Sequence, residues 1–348
     1  MQVILNYYNL KQCLLRIRIY FLTNVYNFAV MKRRHHIYAT LFWTLLFLLL
    51  LASDLFNGIG WGEIILTKIR LPRALTALLA GGGLALAGAQ MQSILRNPLA
   101  DPHILGISSG ASLGAAAATL AGGWMTTGNI FSSIPIAVSS IAGALLSSLI
   151  IMAASKRFRK ASTLLVFGVM LGFIANAIIT VMQSVSDAES LKIFLSWSAG
   201  SFATTSGSDL AIIAAVLGAT CILSAASSRG LDIILFGDDY AELTGAKPDR
   251  IRFRALLGCC MITGAVTAFC GPIGFVGITA PHIARAFWKT SAHKTILPAS
   301  FLCGGTIGIA ADLLSHAGAV PIPVSSTMAV AGIPVIIYIM IKDTGTGL

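Results

Sequence analysis

The chain is 348 residues long, and 56% of its residues are hydrophobic whereas only 11% are charged. Soluble domains average about 25% charged residues, so this composition excludes a soluble protein and indicates an integral membrane protein with helical spans. The net charge of +11 does not indicate nucleic-acid binding, because Lys and Arg cluster between apolar blocks, as in the cytoplasmic loops of membrane proteins. The six cysteines form no CxxC pair, so the sequence predicts no metal site.

Residues 1–30 differ in composition from the rest of the chain. They hold four of the seven tyrosines and no acidic residue. Met31 is then followed by the basic cluster Lys32–His36 and a long apolar run, a beginning typical of bacterial inner-membrane proteins. We predict that Met31 is the true start and that 1–30 is a wrongly included extension, with a basic amphipathic anchor on the membrane surface as the alternative. Residues 31–348 are predicted to form a single domain.

Apolar segments of membrane-spanning character follow one another along that domain. A helical span needs roughly 20 residues, and the Lys and Arg residues between the segments place both termini in the cytoplasm. The stretch Leu191–Ser201 is apolar but short, so it is predicted to be a re-entrant or surface helix. The sequence thus predicts an all-α membrane protein with about ten transmembrane helices, at Ile37–Phe56, Leu71–Leu95, Ile104–Leu120, Ile134–Ala154, Ser162–Met182, Leu210–Ala226, Ala255–Cys270, Phe275–Trp288, Ile296–Leu314 and Val324–Ile341.

The stretch from Arg70 to Gly114 predicts two membrane helices folded back on each other at a polar elbow. Arg70 and Arg73 are three residues apart at the predicted outer end and therefore share one helix face. Pro98 and Pro102 forbid the first helix to continue.

Two patterned sets of residues follow the predicted helices of this stretch. The first set is a narrow polar stripe with spacing i, i+3 and i+7, namely Gln90, Ser93 and Asn97. Such a stripe either lines a pathway or forms interhelical hydrogen bonds. The second set repeats a small residue every four positions, namely Gly106, Gly110 and Gly114. This pattern predicts one helix face on which backbones pack closely.

The only long hydrophilic block of the sequence is Ser227–Arg254, which lies between two predicted spans. Its part LFGDDYAELTGAKPDRIRFR predicts two short helices. Asp238 or Asp239 is expected to cap the first of them, and Gly245 is expected to end it in the left-handed conformation. A compact, capped helix pair on the cytoplasmic face suits the transmission of force from a soluble partner, and an ordinary basic loop is the alternative.

Seven motifs stand in a fixed order between about Ile37 and Lys342: Arg70–Arg73, Arg96–Pro102, Leu105–Ala111, Gly237–Gly245, Gly271–Gly277, Ala280–Arg285 and Ala310–Leu314. In this order they resemble the FecCD-type permeases, the membrane subunits of ABC importers for iron–siderophores, haem and cobalamin. The sequence contains no GxxxxGK[ST] motif, so the chain is not expected to bind ATP through a P-loop.

The resemblance implies a type II importer permease with ten helices that works as a homodimer and is not an enzyme. Two cytoplasmic ABC ATPases would hold ATP and Mg²⁺, a periplasmic binding protein would deliver the cargo, and this chain would carry no cofactor. The ATPases would dock on coupling helices at about residues 236–254. The implied coupling residues are Gly237, Asp238, Asp239, Ala241, Leu243 and Gly245.

The resemblance also implies that outer arginines dock the binding protein, a role that falls on Arg70 and Arg73. Where the family carries a third docking arginine, this chain has His316, and the family's Glu-Leu-Pro-Val-Gly run is replaced at Pro321–Ser325. We therefore expect His316 to tighten docking at about pH 6, because imidazole becomes charged in that range. An ion-coupled secondary transporter is the alternative function, although the acidic residues lie mostly in loops or at helix ends.

Overall fold

The computed structural model describes residues 35–55, 65–120, 136–158, 160–317 and 322–345, so the prediction for 1–30 lies outside the described residues. This described part is helical and contains no strand, which confirms the all-α prediction. Seven of its helices are long and apolar enough to cross a membrane. The helices are α1 (His35–Leu55), α2 (Leu71–Ile94, preceded by a π-helical turn at Leu66–Arg70), α3 (Ile107–Leu120), α4 (Ile136–Arg157), α5 (Ala161–Val185), α6 (Ala188–Ser198), α7 (Gly207–Ile234), α8 (Asp238–Leu243), α9 (Pro248–Cys270), α10 (Val276–Trp288), α11 (His293–Ser315) and α12 (Val324–Gly345).

Each predicted span corresponds to a helix, with two corrections beside the hydrophilic block. Helix α7 continues to Ile234 instead of ending at Ala226, and α9 begins at Pro248 instead of Ala255. The second short helix predicted in the block is therefore the beginning of α9. Pro248 suits this position, because the first residues of a helix need no backbone N–H donor. The number of crossings and the sides of the termini stay predictions.

Helix α2 lies in the core of the bundle and is buried along most of its length. Glycine residues on α2 allow neighbouring helices to come into contact with its backbone. A methyl group at Gly81 would overlap the carbonyl oxygen of Gly304 on α11, and one at Gly83 would overlap Ile262 on α9. In a bilayer the hydrophobic effect contributes little to helix association, because lipid tails are as apolar as the side chains. Close backbone packing of this kind therefore holds the helices together.

The three glycines predicted to share one face of the next helix contact two different neighbours. A methyl group at Gly110 or Gly114 would overlap α4, at Ser147 and at the carbonyl oxygen of Ser139. Gly106 instead precedes α3 with φ of +82° and faces α5. The prediction of a common face is therefore wrong for Gly106, because the turn before α3 redirects it.

Helix α6 is the short helix that was predicted not to span. Asp187 caps it by accepting a hydrogen bond from the N–H of Ser190 at 2.9 Å, and this bond to the carboxylate lowers the pKa of Asp187. Beyond its other end, the N–H of Ser201 donates to the carbonyl of Cys270 at 2.9 Å. Ser325 of α12 donates to the backbone after α6 as well, so α6 is fixed across the ends of α9 and α12.

Candidate functional site

Helix α8 occupies the hydrophilic block where the coupling segment was predicted. It begins after Gly237, whose φ is +118°, and is followed by Gly245, whose φ is +79°. Both positions need the backbone freedom of glycine. Ala241 is fully buried beneath the helix. The predicted side-chain cap is wrong, because Asp238 is turned toward other elements and the helix has no side-chain cap bond.

Three apolar side chains next to and within α8 are exposed: Leu243 is 87% exposed, Phe236 is 77% exposed and Tyr240 is 50% exposed. The rings of Phe236 and Tyr240 lie 5.5 Å apart between centroids. We call these three residues the α8 patch, and Asp239 is exposed beside them. Sequence analysis singled out only Leu243, although two aromatic residues inside a polar block are themselves a signal of an interaction surface.

Asp238 ties α8 to two other parts of the bundle. Its Oδ1 atom accepts a hydrogen bond from Arg96 at 2.6 Å, just after α2. Arg252, on the second turn of α9, donates to Oδ1 and Oδ2 at 2.7 Å each. Arg96 also donates to the carbonyl oxygen of Ile234 at 3.2 Å, at the end of α7. We call the trio of Asp238, Arg96 and Arg252 the Asp238 clamp.

The end of α2 sets the position of Arg96. Arg96 has φ of +47°, a left-handed conformation that terminates the helix. Asn97 therefore lies beyond the helix, where its side chain accepts a hydrogen bond from the N–H of Leu99 at 2.9 Å. The prediction that Asn97 continues the polar stripe is wrong, because the helix already ends at Ile94, three residues earlier.

Helix α8 lies at the same end of the bundle as the basic cluster that follows α4. The ammonium group of Lys156 lies over the ring of Phe253 at 5.7 Å from its centroid, and Phe253 is adjacent in sequence to Arg252 of the clamp. The positive-inside rule predicts that this basic end faces the cytoplasm.

The elbow after α2 is fixed by α10 and by an internal turn. His282 of α10 lies 2.8 Å through Nε2 from the carbonyl oxygen of Pro98. The buried Asp101 accepts a hydrogen bond from the N–H of His103 at 2.7 Å. Burial raises the pKa of Asp101, and the nearby charge of His103 opposes that increase. The elbow is thus a built turn that holds the end of α2 in place.

Gln90 and Ser93 both face neighbouring helices. Gln90 donates to Ser224 of α7 at 2.9 Å. Ser93 Oγ lies 2.5 Å from Nε2 of His293 on α11, and Nδ1 of His293 lies 2.6 Å from Asp232 of α7. Both side chains are buried, so the structure places them in interhelical packing. A role in lining the pathway stays a prediction.

The arrangement of Ser93, His293 and Asp232 has the hydrogen-bond order of a nucleophile, a base and an orienting acid. Sequence analysis missed it, since its members come from three helices far apart in the chain. Ser93 is only 2% exposed, and its hydroxyl is also 3.1 Å from the carbonyl oxygen of Ala89. The trio is therefore placed to hold α2, α7 and α11 together, and its hydroxyl is closed to a substrate.

Arg73, predicted to dock a binding protein, is engaged within the chain at the opposite end of the bundle. It pairs with Asp54 of α1 at 3.0 Å and with Asp312 of α11 at 2.7 Å, and both carboxylates are fully buried. Sequence analysis did not foresee this cluster. Acidic residues at the ends of two apolar spans are the signal that could have found it, since such a charge needs a partner.

Arg70 and His316 lie beside the same cluster. Arg70 donates to the carbonyl oxygen of Leu55 at the end of α1 at 2.9 Å. His316 is exposed after the end of α11, and its Nδ1 lies 3.0 Å from the carbonyl oxygen of Asp312. The three residues predicted to dock a binding protein thus share one end of the bundle, and their docking role stays a prediction.

Together, these features define a class: a multi-pass helical membrane protein that presents a short, rigidly held helix at its basic end. The FecCD transport family matches residues 36–342. The vitamin B12 import system permease protein BtuC of Klebsiella pneumoniae subsp. pneumoniae is 32% identical over 316 residues, which cover 87% of this chain and 93% of the relative. The uncharacterized ABC transporter permease protein YvrB of Bacillus subtilis is 34% identical over 284 residues, 80% of this chain and 79% of the relative. A solved metal-chelate type ABC transporter in an inward-facing conformation has a TM-score of 0.77 at 28% identity, covering 86% of this chain and 97% of its own.

The chain belongs to the FecCD transport family. It is an ABC importer permease and a multi-pass protein of the bacterial inner membrane. Permeases of this family work with ATPase subunits and a binding protein. Membership in the family decides against the alternative of an ion-coupled secondary transporter.

Proposed function

We propose that this chain is the membrane subunit of an ATP-driven importer for a metal chelate, with an iron–siderophore as the first candidate cargo and haem or cobalamin as the others. Two copies form the pathway between them. Two cytoplasmic ABC ATPases hold ATP and Mg²⁺, and a periplasmic binding protein loads the cargo. The relatives support this class of cargo, since one is named for vitamin B12 import and the solved neighbour is described as metal-chelate type.

The observation that carries the proposal is the α8 patch on a helix held by the Asp238 clamp. An exposed apolar surface within a hydrophilic segment suits contact with a soluble protein. Because Asp238 pairs with residues at the end of α2 and in α9, a displacement of α8 is passed to both. An ATPase that pulls α8 therefore tilts the bundle instead of bending a loop.

At the opposite end, Arg70 and His316 offer contacts to the binding protein. Arg73 contributes less to docking, because its side chain is only 15% exposed and is already paired with two buried carboxylates. Exposed ion pairs contribute only about 0–1 kcal/mol each. Docking residues of this kind therefore set the orientation and the rate of encounter more than the affinity.

The coupling role of α8 is tested with Leu243→Ser in the permease reconstituted with its ATPase and binding protein. The variant is expected to lose ATPase association and cargo uptake, because it removes the most exposed part of the α8 patch. Leu314→Ser is the matched control, since Leu314 is 53% exposed but lies at the opposite end. Equal ATPase binding by the two variants would refute the coupling role.

The cargo is tested by uptake of a ferric siderophore, haem and cyanocobalamin into proteoliposomes that contain the whole complex. We expect one of these chelates to be taken up only when ATP is present on the side of α8. Uptake that persists without the ATPase in vesicles with an ion gradient would overturn the ATP-driven mechanism.

A further inference from the structure

A recess of about 500 Å³ lies at the basic end of the bundle, between the end of α4 and the beginning of α9. Its lining contains four cationic side chains and one carboxylate. The residues are Ser155, Lys156, Asp249, Arg250, Arg252, Phe253 and Arg254. Such an excess of positive charge suits an anionic ligand.

Three of the cations, Lys156, Arg250 and Arg254, form no ion pair with a carboxylate in the described part of the chain. The fourth, Arg252, belongs to the Asp238 clamp. Arg250 and Arg254 are exposed and lie four residues apart on α9. Like charges at this spacing repel each other across the helix face, and an anion between them removes the repulsion.

A second, apolar recess of about 250 Å³ continues along the same two helices and is closed on one side by α7. Its floor is made of small residues where α4 and α9 approach closely. A methyl group at Gly264 would lie 3.0 Å from the Cβ atom of Ala144. Leu145 and Leu149 are exposed and form its rim on α4. The recess is therefore an apolar groove.

The basic recess and the apolar groove are consecutive. On α4, Met152 of the groove precedes Ser155 of the recess by less than one turn, and on α9 Leu257 follows Phe253 by about one turn. From Ile141 to Met152 the groove rises by about 16 Å at about 1.5 Å per residue. This is about half of a hydrocarbon core that is roughly 30 Å thick, so the groove matches an acyl chain of one leaflet.

We propose that this seam between α4 and α9 is a binding site for one anionic phospholipid. The phosphate headgroup lies in the basic recess between Lys156, Arg250 and Arg254, and one acyl chain lies in the apolar groove. A soluble protein partner fits less well, because its acidic residues fill the recess but leave the groove at membrane depth empty. The site does not depend on the identity of the cargo.

The test uses the delipidated full-length permease in detergent, titrated with phosphatidylglycerol or phosphatidylcholine, with bound lipid counted by native mass spectrometry. Each cation near an anionic lipid contributes roughly fivefold in affinity, so Arg250→Gln with Arg254→Gln is expected to weaken phosphatidylglycerol binding about 25-fold and leave phosphatidylcholine unchanged. The matched control is Arg157→Gln with Lys160→Gln, which removes two charges from the same end but outside the recess. Its affinity is expected to change less than about twofold.

A second variant, Leu149→Trp, narrows the groove and keeps every cation. It is expected to weaken phosphatidylglycerol binding while leaving the thermal stability of the lipid-free protein unchanged, because Leu149 is 64% exposed. Equal binding of the two lipids to the unmodified protein overturns the proposal, and so does an equal loss in the matched control. A double variant that keeps its phosphatidylglycerol affinity but no longer binds the ATPase assigns the recess to a protein partner instead.

Discussion

Replacing Asp238 by Asn tests whether the Asp238 clamp couples the movement of α8 to α2 and α9. The two arms of the clamp differ in burial, since the side chain of Arg252 is 9% exposed and that of Arg96 is 37% exposed. Buried hydrogen bonds to a charged group contribute about 1.5–3 kcal/mol, whereas exposed pairs contribute about 0–1 kcal/mol. We therefore expect a coupling energy of about 2 kcal/mol for Asp238 with Arg252, and under about 1 kcal/mol for Asp238 with Arg96.

These energies are measured by double-mutant cycles. The variants Asp238→Asn, Arg252→Gln and Arg96→Gln, alone and in pairs, are unfolded with SDS in mixed micelles. The functional readout is the number of cargo molecules imported per ATP in the reconstituted complex. We expect Asp238→Asn to lower this ratio while ATP hydrolysis continues, because the ATPase then moves α8 without moving α2 and α9.

Two results would refute this reasoning. A coupling energy near zero for Asp238 with Arg252 would mean that the short contacts do not contribute to stability. An unchanged ratio of cargo to ATP in a less stable variant would mean that the clamp maintains the fold and transmits no force.

Three further predictions concern the fold. Arg73→Gln is expected to destabilise the protein by about 3–5 kcal/mol, because it leaves two buried carboxylates without their cation. Arg70→Gln removes one hydrogen bond to a carbonyl and is expected to cost about 1 kcal/mol. The melting curves of the two variants, measured at one pH, check this order. Gly114→Leu is expected to lower the melting temperature through overpacking that costs about 1–3 kcal/mol or more, since even a methyl group there overlaps the backbone of α4; a wild-type melting curve would contradict the packing. Asp187→Ala is expected to lower stability at neutral pH, and its difference from the unmodified protein should vanish on acidification. The reason is that a carboxyl whose pKa is depressed below 3.8 stabilises the fold above that value and loses this effect as the pH falls through the depressed pKa. Melting curves between neutral and strongly acidic pH check this prediction.

The spans were predictable because the bilayer requires long apolar helices, and each such helix is visible in the sequence as a continuous run of apolar residues. Pro98 correctly predicted the end of α2, since proline excludes helix continuation at a known distance. The left-handed Arg96 was not predictable in the same way. Its side chain pairs with Asp238, a partner that only the folded chain brings near. For this reason Asn97 was placed on a helix that had already ended.

The ion pairs were beyond sequence analysis for the same reason. The order of the predicted spans places Arg73 at an outer helix end, but its two partners come from α1 and α11. The aromatic residues of the α8 patch are different, because their exposure follows from their place in a polar block. Attention to Phe236 and Tyr240 would have improved the predicted coupling surface without any structure.

The contact between α2 and α11 limits how this protein can change shape. Gly81 meets Gly304 and Gly308 backbone to backbone, so no layer of side chains is present there to rearrange. A rotation of either helix about its own axis would bring backbone atoms into steric overlap, so we expect the two helices to move as one rigid body. When a displacement of α8 reaches α2 through the Asp238 clamp, we therefore expect α11 to tilt with it.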